Sequence, residues 1–306
     1  MMRTWIVFIL GLILSVTVSA QSVSKFIVFG DSLSDSGNSY EYSHHTKPPA
    51  ALYYHGRYSN GPIWIDYVLN TLFPNKTNQR LLNYAFGGSG VLQSQTNAFT
   101  LSQEVDSYLL THQAKVKSDS CFVIWIGAND YLLRPNSTKM TVNKVIAEME
   151  RNIVRLRAHG ARHLIVLGLP DLGLSPFARD LDIQAQLSRV VQMHNHKLRE
   201  RVAKLQARFP ETDWQYMDVN QTFSDLIAHP KQYGFVHTTE RCLEPEVKNN
   251  SVQKSDKGPS AWLRTVLGKH LRNAQENCRD YVFLDQVHPT TYVHQLVAQQ
   301  FVKILK

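Results

Sequence analysis

The sequence is poor in several things, and each shortage excludes something. It has three cysteines in 306 residues, Cys121, Cys242 and Cys278. Their spacing fits no zinc site. There is no internal repeat and no low-complexity segment, which removes solenoids and disordered scaffolds. Beyond residue 20 no apolar run is long enough to cross a bilayer. No Lys follows the glycine cluster at positions 87–90 at the spacing of a phosphate-binding loop. Acidic residues are outnumbered, giving a formal net charge of +8. The basic residues are scattered and carry no recognition motif, so nucleic acid is not an expected partner. The charge instead favours peripheral contact with anionic membrane surfaces or polyanionic glycans.

What the chain does have begins with residues 1–20, which read as a signal peptide. Arg3 supplies the positive end, Trp5 to Val16 the apolar stretch, and Val18-Ser19-Ala20 the small-residue cleavage site. The expectation is a secreted or periplasmic protein with residues 21–306 as a single domain. Export permits a disulfide. Cys242 and Cys278 bracket a polar stretch and are the natural pair. Cys121 abuts an apolar run and reads as a buried free thiol.

Short apolar runs alternate with helical patterns. Phe26–Phe29, Leu81–Phe86, Cys121–Ile126, His163–Leu169, Gln215–Val219 and Tyr281–Leu284 read as strands. Leu101–Val116, Thr141–His159, Gln184–Phe209 and Thr291–Ile304 read as amphipathic helices. That alternation predicts an α/β protein with a mainly parallel sheet between two helix layers. Tyr40–Tyr58 reads as an irregular surface loop.

The strand ends carry the chemistry. Gly30 permits a sharp turn, and a helix is expected to start just after it, placing Ser32 at its N-terminal end. Gly87-Gly88 follows the second strand, Asn129 the third, and Asp285 with His288 the last. In a parallel sheet these ends share one edge, where ligands bind. Asp285 and His288 are three residues apart in a turn, so the carboxylate can orient the imidazole. Pro289 keeps His288 on extended backbone. Ser32 is then a candidate nucleophile and His288 its base. The Ser32 and Gly88 backbone N–H groups and the Asn129 amide are candidate oxyanion donors.

FGDSLSDSGN, NYAFGGSG, WIGANDY and DQVHPT resemble, in order, the blocks of the GDSL (SGNH) hydrolase family. GRYSNGPIWIDY is similar to a segment shared by plant GDSL lipases and bacterial secreted esterases. The resemblance spans residues 26–290. It implies a flavodoxin-like three-layer αβα sandwich and serine ester hydrolysis with no metal or other cofactor. Ser32, Asp285 and His288 would be the triad, and Ser32, Gly88 and Asn129 the oxyanion hole. Gly87 competes with Gly88 for that place; the spacing to Asn83 favours Gly88.

Within the family the chain looks most like secreted bacterial lysophospholipases and phospholipases A, some relatives of which transfer acyl groups. The expected substrate is a lipid or lysophospholipid. The alternatives are a carboxylesterase on short-chain, aryl or glycan acyl esters, and a non-enzymatic binding protein. The Cys-bracketed insertion at about 242–278 departs from the family pattern. Its Lys-rich stretch 248–260 suits a lid opened by an activating protease cutting at 243–277, and equally an inert surface loop. His194 and His196 are read as structural or solvent-facing; His44 and His45 flank a Pro-rich loop near the first block and are read as not lining a substrate path.

Overall fold

The computed structural model describes residues 23–92, 98–112, 117, 119–133, 137–243 and 278–305. The stretch expected to be a signal peptide and nearly all of the Cys-bracketed insertion, including its proposed protease-sensitive loop, lie outside them.

Seven strands are present among the described residues. They are β1 Lys25–Gly30, β2 Leu81–Asn83, β3 Ser120–Trp125, β4 His163–Leu167, β5 Asp213–Met217, β6 His237–Arg241 and β7 Tyr281–Phe283. Nine helices accompany them: α1 Asn38–Tyr42, α2 Trp64–Leu72, α3 Leu101–Thr111, α4 Ala128–Leu132, α5 Lys139–Ala158, α6 Pro176–Asp180, α7 Gln184–Arg208, α8 Val219–Ala228 and α9 Thr291–Ile304. β1 to β5 form one fully parallel sheet in the order β2-β1-β3-β4-β5. Helices α3, α5 and α7 pack together in one layer and α2, α8 and α9 in another, giving the expected α/β sandwich.

The central strands are apolar throughout because both of their faces are covered. Phe26 to Phe29 and Phe122 to Ile126 are essentially fully buried. Parallel register pairs Gly30 with Trp125 and Val28 with Asn83, so β1, β2 and β3 end along one edge. Gly30 is needed there for room: a Cβ would come within 2.6 Å of the Trp125 carbonyl oxygen.

Four expectations need correction. No helix starts at Ser32: Ser34 and Asp35 donate their N–H groups to the Asp31 carbonyl in a single turn, and α1 begins only at Asn38. Asp35 accounts for this, because its carboxylate accepts the N–H groups of Gly37, Asn38 and Ser39 and draws the chain into a cap-like turn. Tyr281–Phe283 is a strand, but it does not extend the main sheet. It pairs in parallel with β6 in a separate two-stranded sheet. β6, HTTER, has no apolar alternation to announce it. The 40–58 stretch is not a plain surface loop, since it contains the end of α1 and buries Leu52 and Tyr53. Finally, β5 stops at Met217 and Val219 opens α8, with Asp218 capping it through the Gln221 N–H.

Cys242 and Cys278 are bonded, with Cα atoms 5.6 Å apart, and Cys121 is a buried free thiol. The disulfide packs with Leu52, Tyr53, Leu243 and Leu284 in a small second core beside the main one. No described helix is long and apolar enough to cross a membrane.

Candidate active site

Ser32, on the turn after β1, lies with its Oγ 2.8 Å from Nε2 of His288. The other ring nitrogen, Nδ1, is 2.6 Å from Oδ2 of Asp285. With a proton on Nδ1 donated to the carboxylate, Nε2 is left to accept from the serine hydroxyl. Burial alone would favour a neutral Asp285. The neighbouring His288 and the hydrogen bonds from His288, Tyr53 and Val287 outweigh it and hold the carboxyl below its ordinary pKa. Asp285 is therefore an anion at neutral pH.

The Asp285–His288 turn owes its position to several anchors. Leu284 donates its N–H to the His288 carbonyl, and Phe177 donates to the Gln286 carbonyl. At the start of α9 the Thr291 N–H is capped by Asn60 Oδ1 at 2.9 Å. The Thr291 hydroxyl donates to the Pro62 carbonyl and receives the Tyr67 hydroxyl. The NGP segment thus fixes the start of α9, directly after the His288 turn.

The candidate oxyanion side is built by a different set of contacts. Asp35 and Ser39 both accept from the Gly87 N–H, at 2.8 and 2.7 Å. Gly87 is therefore spent on structure. Gly88 has a φ of 85°, the left-handed region that glycine adopts freely. Among the described residues no acceptor is found for the Gly88 or Ser32 N–H. Asn129, buried on α4, donates from Nδ2 to the Ser89 carbonyl at 2.8 Å. Its neighbour Asp130 accepts the Val91 and Leu92 N–H groups at 2.7 and 2.8 Å, locking the glycine turn to α4.

Buried acids surround the serine. Burial pushes Asp31 up to about 7, against the Leu33 N–H and His288, which favour its charge. Glu104 accepts the Gly30 N–H at 2.9 Å, and burial pushes its carboxyl well above the usual range.

The structure therefore brings Ser32, His288 and Asp285 into one hydrogen-bonded line and sets Gly88 and Asn129 on the same sheet edge. It leaves the other histidines apart. His45 pairs with Glu41 at the surface, and His196 is exposed. His194 is fully buried against the Tyr131 hydroxyl, and burial pushes its pKa down to about 3. Trp64 and Tyr131 are core residues. Reading the sequence missed Tyr53, whose hydroxyl donates to Asp285 Oδ2 at 2.6 Å, and Tyr58, whose ring lies 5.1 Å from that of His288. Both sit in a stretch dense in Tyr, His and Pro, where nothing local distinguishes one ring from another. The signal that existed was Asn60-Gly61-Pro62, a defined turn just after them.

Residues 26–301 match the family described as GDSL-like Lipase/Acylhydrolase, and the chain belongs to that family of ester hydrolases. It is 28% identical over 330 residues to the phosphatidylcholine-sterol acyltransferase of Aeromonas hydrophila, covering 97% of this chain and 96% of that one. It is also 28% identical over 295 residues to the secreted effector protein SseJ of Salmonella typhimurium. That match covers 92% of this chain but 63% of SseJ. Among solved structures, a catalytic mutant of the acetylxylan esterase Axe2 from Geobacillus stearothermophilus superposes with a TM-score of 0.51. The identity there is 13%, with 93% of this chain and 94% of that one covered, a likeness of fold alone.

Proposed function

We propose that this chain hydrolyses the acyl esters of lysophospholipids or phospholipids, through an acyl-enzyme on Ser32. The observation that carries the chemistry is the unbroken line from Ser32 Oγ through His288 to Asp285. In the first step Ser32 Oγ bonds to the ester carbonyl carbon and its proton passes to Nε2 of His288. The resulting oxyanion is met by the Ser32 and Gly88 N–H groups and the Asn129 amide. Collapse breaks the bond to the leaving alcohol, which takes the proton from His288. Water, or an alcohol acceptor, then repeats the sequence in reverse and frees Ser32.

An aromatic lip beside the oxyanion side supports an apolar acyl chain over an acetyl group. Tyr42, Phe86 and Phe99 contact one another, with ring centroids 5.0 to 5.8 Å apart. Tyr42 is 57% exposed and Phe99 36%. Phe86 donates its N–H to the Gly30 carbonyl and directly precedes Gly87-Gly88. Rings left in water at that place gain by covering methylenes, at about 0.8 kcal/mol for each one buried. The phosphatidylcholine named for the Aeromonas relative points to the same class, and its sterol to acyl transfer. The first twenty residues, the basic charge and the secreted relative support a role outside the cytoplasm, at anionic membrane surfaces.

The test is a chain-length series of acyl esters run beside lysophosphatidylcholine and an acetylated xylooligosaccharide. Rates that climb with chain length and peak on the lysophospholipid are expected. Fastest turnover of the acetylated glycan would replace this reading with a glycan esterase.

A further inference from the structure

Asp285 is held by four donors at once. Oδ1 accepts the Val287 and His288 N–H groups at 2.9 and 2.8 Å. Oδ2 accepts His288 Nδ1–H and the Tyr53 hydroxyl, each at 2.6 Å. A carboxylate has about four lone-pair sites, so this set fills it. Three of the donors come from the turn that contains Asp285 itself. Tyr53 is the exception, 232 positions away in sequence. We propose that Tyr53 is a positioning residue of the site: its hydroxyl fixes the plane of the Asp285 carboxylate and thereby holds the imidazole of His288 on Ser32. The proposal rests on the reading of these three residues as a catalytic triad.

Three observations support it. Tyr53 is itself immobilised. It is 4% exposed, its N–H reaches the Pro49 carbonyl, and its ring packs with Leu52, Leu243, Leu284 and the disulfide. Its hydroxyl is a committed donor, because burial and the Asp285 charge push its pKa well above the ordinary tyrosine value. The rings are also coupled: Tyr53 contacts Tyr58 edge-on at 5.9 Å, and Tyr58 leans on His288. The loop from 49 to 58 therefore grips the acid from one side and the imidazole from another. Without the Tyr53 hydroxyl, Oδ2 has one donor fewer and the carboxylate turns more freely. It also binds the imidazole N–H more strongly, which favours the charged imidazolium and stops it acting as base until higher pH.

The other titratable groups facing this pair are Tyr58, whose hydroxyl burial holds protonated, Asp31 with Asp130 behind it, and His294 on α9. Of these, Tyr58 interacts with Tyr53 directly, and burial keeps its hydroxyl protonated. The experiment compares full-length wild type, Tyr53→Phe and Tyr54→Phe on a soluble acyl ester across pH. Tyr53→Phe should lower kcat about tenfold with KM unchanged, the effect of losing one hydrogen bond to a charged group. The acid limb of kcat/KM should move to higher pH. Tyr54→Phe, whose ring sits over His55 and Arg57, should leave both unchanged. Circular dichroism at each pH gives the folded fraction, and rates corrected for it keep a loss of stability from imitating the shift. Wild-type kcat and an unmoved limb in Tyr53→Phe, with Ser32→Ala inactive, overturn the role of Tyr53 alone. An active Ser32→Ala overturns the triad on which it rests.

Discussion

Ser32 Oγ and His288 Nε2 lie 2.8 Å apart, although 256 positions separate them in the chain. Two independent pieces of architecture meet there. Ser32 follows β1, the second strand of the five-stranded sheet, whereas His288 belongs to a turn after the small β6–β7 sheet. The line between them is set by the anchors of that turn. It follows that Asp285→Asn, which keeps the shape and loses the charge, should lower kcat by about three to four powers of ten. Steady-state kinetics on a soluble ester measures it. A drop below tenfold would mean that the carboxylate does not orient His288.

The oxyanion side makes a separate prediction. Asn129→Ala should cost about a hundredfold or more in kcat, with KM little changed, because a donor aimed at developing charge acts in the transition state. A rise in KM at constant kcat would assign Asn129 to substrate binding instead.

Asp31 gives stability a pH dependence of definite sign. Its pKa is about 7 in the folded chain against 3.8 for an ordinary aspartate, so the folded state holds the proton more tightly. That contribution is fully present below pH about 4 and is lost as pH rises through about 7. At about 1.4 kcal/mol for each pH unit crossed, the loss reaches about 4 kcal/mol. Asp31→Asn has no proton to lose and can still accept the Leu33 N–H. Its melting temperature relative to wild type should therefore be higher at pH 8 than at pH 4. An equal difference at both pH values would show that Asp31 is charged in the folded chain.

The disulfide closes a loop of 36 positions. Restricting the unfolded chain by a loop of that size stabilises the fold by about 4 kcal/mol. Replacing both cysteines by serine should lower the denaturation midpoint to match, measured by urea unfolding. An unchanged midpoint would place the stabilisation elsewhere.

These predictions divide along the same line as what was legible in the sequence. Ser32, Gly88, Asn129, Asp285 and His288 stood out because each is a polar or glycine break at the end of an apolar run. The fully buried strands β1, β3 and β4 announced themselves for the same reason, since both faces of each must be apolar. β6 did not, because HTTER is half-exposed and pairs with only one neighbour. Tyr53 was invisible because its importance lies in one contact across 232 positions. Asp35 was hidden in a different way: it looks like one of several small polar residues in DSLSDSGN. Only the folded chain shows its carboxylate stitching the first turn to Gly87 and so deciding that Gly88, two residues beyond Phe86, keeps its N–H for the site. Local pattern reveals positions where the chain must break; it does not reveal which distant group fills a given lone pair.

The most direct test of the account is covalent capture of the nucleophile. The full-length protein is treated with a fluorophosphonate, and adducts are mapped by peptide mass spectrometry while ester hydrolysis is followed. One adduct, on Ser32, should form in step with the loss of activity, and Ser32→Ala should neither label nor hydrolyse. Full inactivation with the label on another residue, or undiminished hydrolysis by Ser32→Ala, would contradict it.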